Sequence, residues 1–215
     1  ALTETIELVT TILILPQRQT VLVAKQVAEV AILSNNRLRL GVGTGWNKIE
    51  YEALNEDFST RGVRQSEQIE VLRALLSEEV LDYTGKYHRI DQAGINPRPS
   101  KPVPIWFGGS APALIRRCAR LGDGWIPLMG PSPAAAEIIA ALRQQREAAN
   151  KPWDQFSILA QAQYAGGTPE RWQSHAEKWR GLGATHMAIA THNAGETDVD
   201  GHLARIEAYF KAVRS

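Results

Sequence analysis

Glycine-bearing turns carry the chemistry that this chain can offer. Gly108–Gly109–Ser110 follows the apolar run Ile105–Phe107 and precedes Pro112. Proline suits the first turn of a helix, where its missing N–H has no intrahelical partner. Such a strand–turn–helix junction lets the backbone approach a ligand, leaves helix-start N–H groups pointing outward, and offers the Ser110 hydroxyl as cap or donor. That chemistry is anion binding. An ordinary strand-to-helix turn that binds nothing has the same shape. A second stretch, Gly43–Thr44–Gly45–Trp46–Asn47, adds backbone donors, a hydroxyl and an indole. It is not a dinucleotide fingerprint: the spacing is G-x-G-x-G, the first glycine lies inside a strand, and no helix pattern opens directly after it. A third turn, Gly122–Asp123–Gly124, closes a helix and leads into Trp125–Ile126–Pro127.

Other side chains define what the chain is not equipped to do. His88, His175, His186, His192 and His202 do not pair with Cys, Asp or Glu at a metal-site spacing, so no metal site is expected. His175 and His202 fall on helix surfaces and are expected to be solvated. His192 follows the last strand, where it either meets substrate or is a plain loop residue. No G-x-S-x-G elbow is present, which argues against covalent hydrolase chemistry. Trp46 and Trp125 end strands and could stack on a ring. Trp106, Trp172 and Trp179 read as core. Arg61 and Arg64 open a helix where cations are disfavoured, which calls for a nearby carboxylate or anion, or else two solvated arginines.

The chain's 215 residues are 44% hydrophobic with a net charge of +1, so no basic surface argues for nucleic acid or acidic lipid. A single cysteine, Cys118, cannot form an internal disulfide. It fits a reducing, cytoplasmic compartment and reads as a buried structural thiol. Ile12–Leu15 is too short to span a membrane, and no signal-peptide pattern is visible at the start.

The elements that must position the turns follow from apolar periodicity. Ile6–Leu15 reads as a strand buried on both faces, and Thr20–Leu33 as a helix with Val21, Ala24, Val27, Ala28 and Ala31 as its stripe. Leu38–Val42 is a strand, Asn47–Ser59 an irregular acidic segment anchored by Tyr51, Leu54 and Phe58, and Gly62–Leu76 a helix. Residues 79–104 form an excursion: a hairpin turning at Thr84–Gly85–Lys86, then a proline-rich loop. Strand Ile105–Phe107, its helix and strand Trp125–Pro127 are followed by helix Ala134–Ala149, strand Phe156–Tyr164, helix Pro169–Leu182, strand Thr185–Ala190 and helix Asp198–Val213. Six strands and six helices in alternation mean a parallel sheet flanked by helices, either open and doubly wound or closed as a (β/α)8 barrel. Such a barrel usually takes about 250 residues.

These residues resemble the luciferase-like monooxygenase family of flavin and F420-dependent oxidoreductases. The carrying segments are Thr10–Arg18, Arg37–Leu54, Arg61–Leu75, the YTGKYHRI of residues 83–90, and Pro102–Pro127. The combination of GVGTGW, IWFGGS and GDGW is specific. The resemblance implies a single α/β domain over residues 1–215, a TIM-type (β/α)8 barrel with about six of eight units present and Ile6–Leu15 as its third strand. Ala1–Thr5 offers no helix start, so two preceding units are expected. Those units would hold the catalytic acid or base, which is therefore unassigned. The resemblance also implies F420 or FMN as cofactor. Gly108, Gly109, Ser110, Gly122, Asp123, Gly124 and Trp125 would hold the phosphate; Gly43, Thr44, Gly45 and Trp46 would flank the ring or ribityl chain. Thr11–Ile12 would form a non-proline cis peptide beneath the ring.

The implied activity is hydride transfer with F420, or monooxygenation with reduced FMN fed by a separate reductase, on a small organic substrate. A homodimer is expected. Two alternatives stand beside it: a non-catalytic flavin-binding or structural relative with a degenerate barrel, and a phosphate-binding barrel isomerase or lyase.

Overall fold

A computed structural model describes residues 3–195 and 198–214. The chain forms two compact units, residues 1–123 and 124–215. Ala1 and Leu2, part of the stretch expected to lack a helix start, lie outside the described residues.

In the first unit the expected long strand Ile6–Leu15 is broken into β1 (Leu8–Val9) and β2 (Leu13–Ile14). Both pair in parallel with β3 (Leu38–Gly43). Val9 faces Arg39 and Leu13 faces Val42, so four steps on one strand oppose three on the other. This is a bulge. At the break the Thr10 hydroxyl replaces a ladder partner: it donates to the Gly41 carbonyl at 2.8 Å and accepts the Gly41 amide at 2.9 Å. The strand is not buried on both faces as expected. It lies at the sheet edge, where Ile6 is 60% and Leu8 39% exposed.

A 3₁₀ turn, Leu15–Gln17, leads to α1 (Thr20–Leu33). Val23, Ala24, Val27, Ala28 and Ala31 bury its inner face, whereas Val21 is half exposed. The stripe therefore starts at Val23 rather than Val21. Asn47–Ser59, expected to be irregular, contains a short helix α2 (Lys48–Ala53), because the Asn47 side chain caps it by accepting the Ile49 amide at 3.1 Å. Helix α3 (Arg61–Ser77) packs against α1 and buries Ile69, Val71, Leu72, Leu75 and Leu76. Each such side chain contributes about 1.5–3 kcal/mol. Arg64 at its start pairs with Glu56, while Arg61 stacks over the Phe58 ring.

The excursion forms the antiparallel hairpin β4 (Leu81–Thr84) and β5 (Arg89–Ala93), tied to α3 by Glu67. Strand β6 (Ile105–Gly108) is wholly buried and parallel to β3, with Leu40 facing Ile105 and Val42 facing Phe107. Helix α4 (Pro112–Leu121) closes the unit.

The second unit repeats the alternation: β7 (Gly124–Ile126), α5 (Pro133–Ala148), β8 (Ser157–Gln163), α6 (Pro169–Gly181), β9 (His186–Ala190) and α7 (Val199–Arg214). Strands β7, β8 and β9 are parallel neighbours. Ala160 and Ala162 of β8 turn toward the helices, against Trp179 in one cluster and against Trp172 and Tyr209 in another. Small residues on the strand make room for the indoles. Pleat alternation then sends Gln161 and Gln163 to the opposite face.

Candidate functional site

Three strand ends of the first unit converge on Ile12. The Thr11–Ile12 peptide is cis, as the family resemblance implies. It lies in the bulge, and the Ile12 side chain reaches across the ends of β3 and β6. A Cβ on Gly43 would collide with Ile12 Cδ1, and one on Gly108 would sit 2.7 Å from Ile12 Cγ2. Both positions need glycine for this close approach. The half-buried Ile12 thus forms an apolar platform at the carboxyl ends of parallel strands, the end where α/β barrels keep their sites.

Two loops border the platform. The Gly43–Trp46 loop is braced by Tyr51, whose fully buried ring sends its hydroxyl to the Thr44 carbonyl at 2.6 Å. Burial raises the Tyr51 pKa against the lowering pull of Arg64 and Arg61, so the phenol stays a donor. Trp46 on this loop is 86% exposed. The Gly108–Gly109–Ser110 turn lies across β6, with Gly109 at φ +126°. Ser110 is exposed and does not cap the helix, contrary to expectation: the N-cap position falls to Ala111, and no side chain caps α4. No acidic residue lies in the first turn of α4. An uncapped helix start with this polarity suits an anion.

The structure does not bring Gly122–Asp123 to this platform. Asp123 Oδ2 accepts the Ile105 amide at 2.8 Å, and the Asp123 amide donates to the Ile105 carbonyl at 2.8 Å. Ile105 begins β6 and Gly108 ends it, so the two turns are about 10 Å apart at opposite strand ends. The reason is topological: a helix-to-strand turn in a parallel sheet enters at the amino end of the next strand. Gly124 and Trp125 form β7 of the second unit, and the Trp125 side chain, expected to stack on a ring, is fully buried. His192 follows β9 and is exposed.

Sequence reading missed a second feature, wholly within the second unit. A cavity of about 590 Å³ opens where β7 and β8 end and α6 begins. It is lined by Gly167, Arg171, Trp172 and His175, among others. His175, expected to be solvated, has a buried Nδ1 without a partner. A signal was present: Gly166–Gly167–Thr168 matches the glycine–glycine–hydroxyl run of the Gly108 turn, with the proline following directly at Pro169 rather than after an intervening residue such as Ala111.

Parallel strands followed by helices, with glycine turns at the carboxyl strand ends, define an α/β protein of the barrel type. The family model described as luciferase-like monooxygenase matches residues 1–211, and the chain belongs to that family. Over 140 residues it is 39% identical to an uncharacterised protein of Mycobacterium tuberculosis, covering 65% of this chain and 48% of that one. Over 171 residues it is 31% identical to an F420-dependent glucose-6-phosphate dehydrogenase of Nakamurella multipartita, covering 74% of this chain and 49% of that one. The chain thus spans about half the length of the curated relatives it matches.

Among solved structures, an F420-dependent secondary alcohol dehydrogenase in complex with an F420–acetone adduct superposes with a TM-score of 0.84 at 16% identity. It covers all of this chain and 81% of its own. A monooxygenase from Streptomyces bottropensis gives 0.84 at 17%, covering 98% and 78%. The fold is therefore the (β/α)8 type, with six of its eight units among the described residues.

Proposed function

We propose that this chain is the cofactor-binding part of a luciferase-like oxidoreductase that uses F420 or FMN on a small organic substrate. The observation that carries the reading is the convergence of β2, β3 and β6 on Ile12, with Gly43 and Gly108 leaving room for it. The residues fit a phosphorylated planar cofactor. The Ile12 platform supports an aromatic ring by apolar contact and keeps water from its face. Gly108, Gly109 and Ser110, with the uncapped start of α4, receive a phosphate through N–H groups and the Ser110 hydroxyl. Gly43, Thr44, Gly45 and Trp46 flank the ring or ribityl chain, on a loop that Tyr51 holds in place. Gly122, Asp123 and Trp125 take no part in this reading. His192, which follows β9 in the second unit, is a candidate substrate contact.

When bound, F420 supplies hydride transfer, and reduced FMN supplies oxygen activation. The names of the relatives and of the superposed structures include both F420-dependent dehydrogenases and a monooxygenase, which supports the class and leaves both cofactors as arms of the test. Equilibrium titration of the protein with F420 and with FMN should give saturable binding of one of them, followed by turnover of its reduced form with an electron acceptor: a reducible organic substrate for F420, or oxygen together with an oxidisable substrate for FMN. Binding of neither overturns the proposal; binding without turnover leaves the non-catalytic flavin-binding reading.

A further inference from the structure

Three side chains far apart in sequence meet beside a cavity of the first unit. The cavity, about 240 Å³, lies at the start of α1 and is lined by Thr20, Tyr87 and His88, among others. Glu67 Oε1 of α3 lies 2.9 Å from His88 Nδ1, and His88 Nε2 lies 2.6 Å from the Thr20 hydroxyl. Burial works against the Glu67 carboxylate, but the His88 ring and the amides of Tyr87, Lys86 and His88 outweigh it and hold its pKa below the ordinary value. An ionised carboxylate only accepts hydrogen bonds, so Nδ1 carries the imidazole proton and Nε2 presents a lone pair. The Thr20 hydroxyl therefore donates to Nε2. Gln68 Nε2 donates to the same hydroxyl oxygen at 3.1 Å and fixes its position.

Carboxylate, imidazole and hydroxyl in this order are a nucleophile, its base and the group that orients the base. Thr20 is 4% exposed, so a substrate meets its hydroxyl only from the cavity. It is also the first residue of α1, whose first turn has neither a side-chain cap nor an acidic residue. The amides of Val21 and Leu22 thus have no intrahelical acceptor and can receive a developing oxyanion. Arg64 on the cavity wall pairs with Glu56, which leaves the Arg18 charge to favour that oxyanion. The volume is below that of sites for drug-sized ligands, which limits an acyl chain to a short one.

We propose that Thr20 is the nucleophile of a second activity, transfer of a short acyl group from a carboxylic ester to water, with His88 as general base and acid and Glu67 as the residue that positions His88. Thr20 Oγ1 bonds to the ester carbonyl carbon as its proton passes to His88 Nε2. The C–O bond to the leaving alcohol then breaks, and Nε2 gives the proton to that oxygen. Water attacks the acyl-threonine and loses a proton to Nε2; the carboxylic acid leaves as Thr20 regains its proton. Ester and water become acid and alcohol, with no oxidation or reduction. The activity goes beyond the oxidoreductase reading and does not depend on it, because no cofactor enters the reaction or its test.

The test uses the full chain without added flavin. An alkyl fluorophosphonate, which loses fluoride to an activated hydroxyl and stays bound, should label the peptide containing Thr20, as mapped by mass spectrometry. Hydrolysis of 4-nitrophenyl acetate should fall about a hundredfold or more in His88→Gln and in Thr20→Val, and Thr20→Ser should retain it. Glu67→Gln should lower kcat with little change in KM and slow the labelling of Thr20. The label on wild-type protein decides the matter even where a variant fails to fold. Label on other residues only, no label, or undiminished hydrolysis in folded His88→Gln overturns the proposal.

Discussion

Asp123 Oδ2 accepts the Ile105 amide at 2.8 Å, and the same oxygen takes Arg73 at 2.7 Å. Arg73 also reaches the Leu121 carbonyl at 2.9 Å, so one carboxylate and one guanidinium fasten α3, the end of α4 and the start of β6 together. The GDGW motif thus begins with a structural clamp at the amino end of a strand, the face of a barrel that serves stability.

Replacing Asp123 with Ala should therefore cost stability and spare ligand binding. It strands the Ile105 amide, which belongs to a fully buried residue. A loss of about 1–3 kcal/mol is expected for an orphaned buried donor, read from the denaturant midpoint. Asp123→Asn, which keeps an acceptor oxygen, should recover part of it. Unaltered stability with abolished cofactor binding would contradict this placement.

The platform at Ile12 predicts a rescue. Gly43→Ala drives a methyl into Ile12 Cδ1 and should destabilise the protein by about 1–3 kcal/mol while weakening cofactor binding. Ile12→Val removes Cδ1 and should restore both in the double variant. A double-mutant cycle measures the coupling, and additive losses would show that the two residues do not meet.

Charge at the start of α4 should act on helix and ligand in opposite directions. Ser110→Asp places a carboxylate beside an uncapped helix start, which favours the helix by about 0.3–1 kcal/mol. The same carboxylate repels a phosphate, so Kd for F420 or FMN should rise about tenfold or more while the melting temperature holds or climbs. Unchanged affinity would remove the phosphate from this turn.

Glu67 predicts an acid limb in the stability profile. Burial alone would raise its pKa, but the His88 ring and the amides of Tyr87, Lys86 and His88 outweigh it and bring it below the ordinary 4.5. The folded state therefore binds fewer protons than the unfolded chain near that value. Stability from Glu67 is complete above about pH 4.5 and is lost as pH falls through the lower folded value. Glu67→Gln should lower stability near neutral pH and flatten the acid limb, with faster amide exchange at Lys86–His88. A limb of unchanged slope would argue against the link.

Much of this architecture was legible in the residues. Thr20–Leu33 as a helix and the alternation of strands with helices followed from apolar spacing, a local property that side chains impose wherever the chain ends up. The cis Thr11–Ile12 peptide and the luciferase-like family followed from motifs in their order. Short-range chemistry also told where turns fall: Gly108–Gly109–Ser110 is a turn in the structure as in the sequence.

Only the tertiary structure decided which turns share an end of a strand. Gly108 and Asp123 are close in sequence and alike in composition, yet the parallel sheet carries them to opposite ends of β6, because a chain must cross a whole helix before it re-enters the sheet. The bulge that drops Ile12 onto Gly43 and Gly108 depends on pairing across about thirty residues, which periodicity does not record. The unpartnered indole N–H of Trp172 is likewise invisible in a helix that reads as ordinary packing, since being without a partner is a property of the surroundings rather than of the residue.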